Sequence, residues 1–411
     1  MGSRRYWEIF LIALCAGVSV ICALMAPPVP WNPPAVSVTA VSEVPTAFPP
    51  ITVPPDTPAP VIPTPEMPVG EPIDPVAVRI AELLEEMSLR ERVYQLFFVS
   101  PDRIGRPELL ELFPVGGMIF LEKHISEPEQ IRTMIADYQS SSKIPLFISA
   151  DEEGGRVSRL HKLPDFTRLG AMYSYRARGS RTAYSNAYDM ALSMASYGFN
   201  MDFAPVADVW SNPQNTVIGD RAYSDSFEEA ALLVPAAVRG FRDGGLICSI
   251  KHFPGHGSTA LDTHDGNAYV DKSWEQLMSE ELLPFVAGIE EGADMVMVGH
   301  MIVSHMDSVQ ATLSETVVTQ LLRGELGFDG VVITDAMNMR ALSEYSVSES
   351  AVMAVRAGID LLLEPGDLSA AADGIIAAVD SGELSAERID ASVSRILRLK
   401  LERGLIAMPT P

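Results

Sequence analysis

Cysteine is scarce in this 411-residue chain, where it occurs only as Cys15, Cys22 and Cys248. The first two lie in an apolar run near the amino terminus, so Cys248 is alone in the main body. No disulfide can form within that body, and an exported fold would have to depend on its hydrophobic core. Apolar residues make up 47% of the chain, which is enough for a large core.

Positive charge is also in short supply, since 30 lysines and arginines stand against 54 acidic residues. The net charge of −24 disfavours nucleic acid as a partner, because binding to phosphates needs a surplus of Lys and Arg. Such a charge instead fits a soluble domain that stays dispersed outside the cell.

Residues 1–26 have the composition of a membrane-spanning segment. Arg4 and Arg5 precede an uncharged apolar run that ends at Ala26, and this run approaches the roughly 20 residues that cross a bilayer. The two prolines that follow disfavour cleavage after the run. We therefore predict a signal anchor with the arginines inside and the rest of the chain outside, and a cleaved signal peptide as the alternative.

Proline recurs throughout residues 27–75, where it removes amide donors and fixes φ. This composition predicts an extended, disordered and semi-rigid linker rather than a domain. Residues 76–411 would then form one folded domain, held outside the cell membrane in the cell-wall layer, or secreted if the segment before the linker is cleaved. The anchor would be its only contact with the membrane.

The main body alternates short apolar runs with longer amphipathic stretches. Because each run is apolar on both faces, it is typical of a parallel strand covered by helices. Eight such units predict an α/β fold of the (β/α)₈ TIM-barrel type, with an open doubly wound sheet as the alternative. The runs are 93–99, 116–121, 145–151, 200–209, 246–253, 294–301, 330–337 and 360–365.

Polar residues follow at the carboxyl ends of these runs, where a barrel gathers its active site on one face. A strand end is also where polarity resumes in any fold, so one such residue means little, whereas six ends together indicate a site. The residues are Asp151, Asp208, Lys251 with His252, His300, Asp335 and Glu364.

The stretch KHFPGHGSTALDTHDGN (251–267) holds three of the seven histidines. His252 and His256 have the spacing of a helical zinc pair, but proline and glycine between and beside them prevent a regular helix, and the glutamate of an HExxH motif is missing. Acid/base chemistry fits better, because Asp262 could orient the imidazole of His264 and stabilise its charged form. Glycoside cleavage needs such a proton donor and a carboxylate, for which Asp335 is suited.

The motifs KHFPGHG, ADEEGGRVSRL (150–160), GDRAYS (219–224) and GVVITDAMNM (330–339) together closely resemble glycoside hydrolase family 3. The resemblance extends from about Ile73 to Leu405. Family members with only the barrel are similar to β-N-acetylhexosaminidases, whereas the family's β-glucosidases draw their acid/base glutamate from a second domain. The end of the chain at Pro411 and the DTH triplet (262–264) favour the single-domain hexosaminidase branch.

The resemblance implies a role for each matching residue. Asp335 would be the nucleophile, His264 the acid/base and Asp262 its partner. The sugar hydroxyls would be held by Asp151, Arg221, Lys251 and His252, with Arg159 either touching the sugar or ordering the rim through an ion pair. After the triplet the chain departs from the family's usual pattern with DGNAYVDKS (265–273), which leaves the leaving-group preference open.

The predicted function is that of a retaining β-N-acetylglucosaminidase, acting by double displacement on an oligosaccharide or glycopeptide, with peptidoglycan fragments as the expected source. No metal or organic cofactor is expected, and a monomer is expected. The alternatives are a β-glucosidase, a phosphorylase in which phosphate replaces water, and a non-catalytic protein that binds cell-wall glycan.

Overall fold

The computed structural model describes residues 74–260, 262–264 and 266–409, which hold ten short strands. Eight of the strands are parallel members of one barrel, and β6 and β8 pair with each other in a separate ribbon. The strands are β1 (Phe97–Val99), β2 (Gly117–Ile119), β3 (Phe147–Ser149), β4 (Met201–Asp202), β5 (Ile247–Phe253), β6 (Tyr269–Val270), β7 (Met295–Val298), β8 (Ile302–Val303), β9 (Val331–Thr334) and β10 (Leu362–Leu363).

The barrel closes from two four-stranded halves, in the orders β10-β1-β2-β3 and β4-β5-β7-β9. On one side the two halves meet between β3 and β4, where the Phe203 amide donates to the Ala150 carbonyl at 3.1 Å. On the other side Ile333 and Leu361 form a parallel bridge between β9 and the start of β10. All eight predicted runs supply a barrel strand in chain order, so the TIM-type prediction is confirmed and the open sheet is wrong.

Helices follow the strands and cover the outside of the barrel. They are α1 (Pro75–Glu85), α2 (Leu89–Gln95), α3 (Pro101–Ile104), α4 (Pro128–Ser141), α5 (Gly179–Ala195), α6 (Phe227–Asp243), α7 (Trp274–Ser279), α8 (Leu283–Glu290), α9 (Val347–Ala357), α10 (Leu368–Asp380) and α11 (Ala386–Glu402), with a π-helix at Thr316–Glu325. Short 3₁₀ turns occur at Pro107–Glu111, Glu122–His124, Met172–Arg178, Gly219–Arg221, Ala311–Leu313 and Arg340–Leu342.

Two apolar layers hold this arrangement together. The larger layer lies between the strands and the surrounding helices. The smaller fills the barrel, where Phe98, Phe147 and Phe203 pack with Met297 and other strand side chains. Side chains from α11, including Ile396, join the interior layer. The barrel is therefore a packed core, and open space for a ligand is left at the ends of the strands.

One predicted strand run is partly wrong. Residues 93–95 of the run 93–99 belong to α2 because Ser88 and Glu91 form a reciprocal capping box that starts a helix there. At the amino end, Asp74 caps α1 and Pro75 occupies its first turn, where a missing amide hydrogen costs nothing. That places the last residue of the predicted linker in a helix.

The predicted anchor (1–26) and the predicted linker up to residue 73 lie outside the described residues. Within the part of the chain that the structure describes, no helix combines the length and the apolar character needed to cross a membrane.

Candidate active site

A cavity of about 330 Å³ opens at the carboxyl ends of the strands. This volume falls in the range of pockets that hold small ligands. Seven of the eight predicted site residues line it: Asp151, Arg159, Arg221, Lys251, His252, His264 and Asp335. The eighth, Asp262, contacts His264 from beside the cavity, so the structure brings the whole predicted set together.

One wall of the cavity is a buried cluster of opposite charges. The Lys251 ammonium, only 1% exposed, lies 2.8 Å from Asp151 Oδ1 and 2.6 Å from Glu153 Oε1. Arg221 donates to both oxygens of Glu153, at 2.7 Å from Nε and 2.9 Å from Nη2. Such paired, charge-assisted bonds fix the geometry of all four side chains.

The cluster keeps these groups ionised in spite of their burial. Burial opposes the charge on Glu153, but Arg221 and Lys251 outweigh it and hold the pKa of that carboxyl far below its usual range. Burial likewise opposes the charge on Lys251, yet Asp151 and Glu153 raise the pKa of its ammonium. The wall therefore offers fixed charged donors and acceptors, which suits hydrogen bonding to vicinal hydroxyl groups.

Arg159 extends this wall towards the rim. Its Nη2 lies 3.5 Å from Asp151 Oδ2, and its backbone amide donates to Glu152 Oε2 at 2.7 Å. Arg159 thus both lines the cavity and forms an ion pair with Asp151. Contact with the sugar and an ion pair at the rim, the two roles that the sequence left open for Arg159, are therefore compatible.

The structure adds Glu153 to the charged wall, a residue that the sequence did not single out. Glu152 and Glu153 are adjacent, and they point in different directions. Glu152 accepts from the backbone amides of Arg159 and Leu160, whereas Glu153 joins Lys251 and Arg221. The available signal was charge balance, because the two predicted cations Lys251 and Arg221 require more than the one predicted carboxylate, Asp151.

Asp335 follows β9 directly and faces the cavity from the opposite part of the barrel. Its amide donates to the Val298 carbonyl at 2.9 Å, and its Oδ1 accepts from the Ala336 amide at 2.7 Å. Burial would raise the pKa of this carboxyl, but the neighbouring His252 and His300 lower it below its ordinary value. The result is a rigid, ionised carboxylate at a strand end, as a nucleophile requires.

His252 is positioned by Asp208 beneath the cavity. One oxygen of Asp208 accepts from the His252 amide at 3.1 Å and from its Nδ1 at 2.7 Å. This contact leaves Nε2 as the ring nitrogen that can meet a sugar hydroxyl. Burial opposes the charge on Asp208, yet the neighbouring His252 lowers the pKa of that carboxyl. Asp208 is therefore an ionised acceptor for the Nδ1–H of His252.

The glycines of KHFPGHG allow the chain to pass closely behind the cavity. A Cβ at Gly257 would lie 1.6 Å from the Val209 carbonyl oxygen, so only glycine fits. Gly255, at φ +123°, packs against Glu281, whose Cγ would lie 2.6 Å from an added Cβ. The turn places His256 next to Asp208, which accepts from the His256 amide at 2.6 Å.

The segment 262–264 borders the cavity, which Thr263 and His264 line. Asp262 Oδ1 accepts from the His264 amide at 2.8 Å and contacts His264 Nδ1 at 2.8 Å. Burial would raise the pKa of Asp262, but the hydrogen bonds from His264 lower it, so the carboxylate is charged. The His264 side chain is 68% exposed, and the contact through Nδ1 leaves Nε2 available to exchange a proton with a ligand.

The cavity has a further carboxylate at the end of β10. Glu364 accepts a hydrogen bond from the Ser100 amide and lies 3.7 Å from Arg103. Among the described residues it is the one non-glycine residue in the left-handed region, at φ +46°. Asn338, which follows Asp335 by three positions, also lines the cavity.

Two further histidines near the cavity have their ring nitrogens in contact with other groups of the protein. His256 contacts Thr259 and Thr263, and His300 contacts Thr312 and the Ala336 carbonyl. No cluster of three or more His, Cys, Asp or Glu side chains arranged to hold a metal ion occurs among the residues that the structure describes.

The profile of the glycosyl hydrolase family 3 N-terminal domain matches residues 88–399. The chain belongs to glycosyl hydrolase family 3. The resemblance carried by the four sequence motifs is thereby confirmed. In this family member, the matched region contains every barrel strand and all of the predicted site residues.

Relatives within the family carry consistent names. The chain is 33% identical over 328 residues to beta-hexosaminidase A of Pseudoalteromonas piscicida, covering 72% of this chain and 55% of that protein. It is 36% identical over 233 residues to the beta-hexosaminidase of Xylella fastidiosa strain M23, covering 56% of this chain and 69% of the relative.

Among solved structures, the family 3 β-N-acetylglucosaminidase of Paenibacillus sp. str. FPU-7 is similar, with a TM-score of 0.74 and 39% identity. The match covers 79% of this chain and 64% of that one. The chain therefore spans little more than half of its Pseudoalteromonas relative and just under two thirds of the Paenibacillus protein.

Proposed function

We propose that this family 3 protein is a retaining β-N-acetylglucosaminidase that releases terminal β-linked N-acetylglucosamine from an oligosaccharide or glycopeptide. The observation that carries the proposal is the shared cavity, which an ionised Asp335 enters from β9 and an Asp262-held His264 enters from the mouth. A carboxylate and a proton donor in one pocket are the two groups that glycoside cleavage needs. The names of the relatives support this choice of sugar.

In the first step, the Asp335 carboxylate attacks the anomeric carbon as the bond to the leaving oxygen breaks. His264 gives its proton to that oxygen, while Asp262 holds the imidazole in place through Nδ1. The charged wall formed by Lys251, Asp151 and Arg221 holds the ring hydroxyls, which fixes the anomeric carbon against the nucleophile.

In the second step, the neutral His264 takes a proton from water as the water oxygen attacks the anomeric carbon. The ester bond to Asp335 breaks, its carboxylate is restored, and His264 regains its proton. Two inversions at the same carbon give net retention of configuration.

The proposal is tested by Asp335→Ala, assayed with p-nitrophenyl N-acetyl-β-D-glucosaminide. We expect release of p-nitrophenol to fall by at least about 10³-fold, since the covalent step is removed. Asp307→Ala, which changes a carboxylate away from the cavity, is the matched control. Turnover of Asp335→Ala near the wild-type rate would overturn the assignment.

We further propose that the substrate comes from peptidoglycan and that the protein acts as a monomer at the outer face of the cell membrane, held by residues 1–26. The apolar segment, the proline-rich residues 27–75 and the excess of acidic residues support this location. Extraction of the full-length protein from membranes by detergent, but not by salt or carbonate, is the expected result. Release by salt would contradict the anchor.

A further inference from the structure

Thr263 lies between the two residues of the proposed acid/base pair, and its environment differs from theirs. Its side chain is buried, and the residue is 2% exposed. The flanking side chains of Asp262 and His264 are 30% and 68% exposed. A segment with an exposed catalytic histidine thus has one buried attachment point at its tip, between its two functional residues.

Thr263 is attached through its backbone and through its hydroxyl. Its carbonyl accepts from the Ala341 amide at 3.2 Å, which joins the tip to the loop that follows Asp335. Its Oγ1 lies 3.5 Å from Nε2 of the buried His256. Ala341 is in turn held by the buried Gln310, whose Nε2 donates to the Ala341 carbonyl at 2.7 Å.

The hydrogen bonds of His256 determine which nitrogen faces Thr263. The Thr259 hydroxyl donates to the His256 carbonyl at 3.0 Å, so Nδ1–H of His256 must be the donor in the 2.7 Å contact with Thr259 Oγ1. Nε2 is then an acceptor, and the Thr263 hydroxyl donates to it. Burial lowers the pKa of His256, which agrees with a neutral ring.

The same histidine is linked to the sugar-facing side of the cavity. Asp208 accepts from the His256 amide with Oδ1 and from His252 with Oδ2. A continuous set of contacts therefore runs from His252 through Asp208 and His256 to Thr263. It ends one residue before His264.

We propose, on the basis of the reaction assigned above, that Thr263 is a positioning residue that holds the acid/base loop over the cavity by its bonds to His256 and Ala341. Neither Asp335 nor the charged wall of Lys251, Asp151 and Arg221 is hydrogen-bonded to Thr263. Loss of the Thr263 hydroxyl should therefore impair protonation of the leaving group and spare attack by Asp335.

The test compares Thr263→Val, which keeps the shape but removes the hydroxyl, with Thr263→Ser, which keeps the hydroxyl. Each is assayed on chitobiose, a poor leaving group, and on the 2,4-dinitrophenyl N-acetylglucosaminide, which leaves without protonation. For Thr263→Val we expect kcat/KM to fall about tenfold or more on chitobiose and less than about threefold on the activated substrate. Thr263→Ser should recover most of the loss.

Two controls separate this effect from a general loss of structure. Thr319→Val removes a hydroxyl that donates to the Ala357 carbonyl at 2.7 Å on the outer helices, and it should leave both rates unchanged. If Thr263→Val folds poorly by thermal melting, Thr263→Ala replaces it, since that change adds no apolar volume. Equal losses on the two substrates, or no loss on chitobiose, would overturn the role of Thr263.

Failure of this inference is distinguishable from failure of the proposed function. In the first case, Asp335→Ala abolishes turnover while Thr263→Val retains the leaving-group dependence of the wild type. In the second case, Asp335→Ala itself remains active.

Discussion

The two ends of the barrel each bury a lysine, and they treat it differently. At the carboxyl ends of the strands, Lys251 lies between two carboxylates, which raise the pKa of its ammonium. At the amino ends, Lys400 is fully buried with the Gln95 side-chain oxygen at 3.3 Å and the Phe147 ring at 4.8 Å. Burial lowers the pKa of Lys400 to about 7.

The presence or absence of carboxylate partners determines which of the two lysines is suited to bind a polar ligand. A buried ammonium with two carboxylates remains charged and can bind a polar ligand, whereas a buried ammonium without an anion costs stability as long as it is protonated. Replacing each lysine by methionine, which has similar length and no charge, should therefore change stability in opposite directions, and only the change at Lys251 should lower activity.

The largest effect is expected for Lys251→Met. This change leaves Asp151 and Glu153 without their shared cation, which should cost about 3 kcal/mol of unfolding free energy. Loss of a fixed donor to the sugar should also lower kcat/KM by about 10²-fold or more. Chemical denaturation and steady-state kinetics measure the two effects. A Lys251→Met protein with wild-type activity would show that the charged wall does not bind substrate.

A smaller effect is expected for Glu153→Gln, which keeps the shape of the wall but removes one negative charge. We expect a loss of about 2 kcal/mol at pH 7, because Lys251 and Arg221 lose part of their compensation. The folded pKa of Glu153 lies below its unfolded value of about 4.3. Its contribution is therefore present above that pH and is lost as the pH falls through the folded pKa.

Urea denaturation of wild type and Glu153→Gln at several pH values between about 3 and 7 measures this dependence. The two proteins should differ most near neutral pH and converge as the pH falls below about 4. A difference in stability that stays constant over this range would contradict the assigned charge on Glu153.

The third change should affect stability alone, and with the opposite sign. Lys400→Met should raise the unfolding free energy by about 2 kcal/mol at pH 6–7, while kcat/KM is unchanged. Between about pH 7 and 10 the unfolded chain binds a proton that folded Lys400 does not, so wild-type stability rises with pH in this window. The advantage of Lys400→Met should therefore shrink as the pH approaches 10. Destabilisation by Lys400→Met at pH 6 would contradict the claim that the buried ammonium of Lys400 costs stability.

Most of the fold could be predicted from the sequence because parallel barrel strands are buried on both faces and so appear as short apolar runs. The boundaries of β1 could not, since the capping box at Ser88 and Glu91 competes with the apolar run. The ribbon of β6 and β8 was also missed, because two paired residues in each strand leave no periodic pattern.

The site could be predicted wherever a polar residue lies at or near the carboxyl end of a strand, as Asp335 and Lys251 do. Glu153 could not, because the direction of each side chain in the turn after β3 depends on tertiary contacts. Thr263 was missed for a similar reason. Its neighbours carry the recognisable chemistry, while its own importance lies in contacts with His256 and Ala341 from distant parts of the chain.

The central claim is that Asp335 becomes covalently bonded to the sugar during each turnover. The most direct measurement is intact-mass spectrometry of the full-length protein after incubation with a 5-fluoro N-acetylglucosaminyl fluoride, followed by mapping of the labelled peptide. We predict one added glycosyl group, located at Asp335. An active enzyme that never carries the label, or that carries it at another residue, would contradict the account.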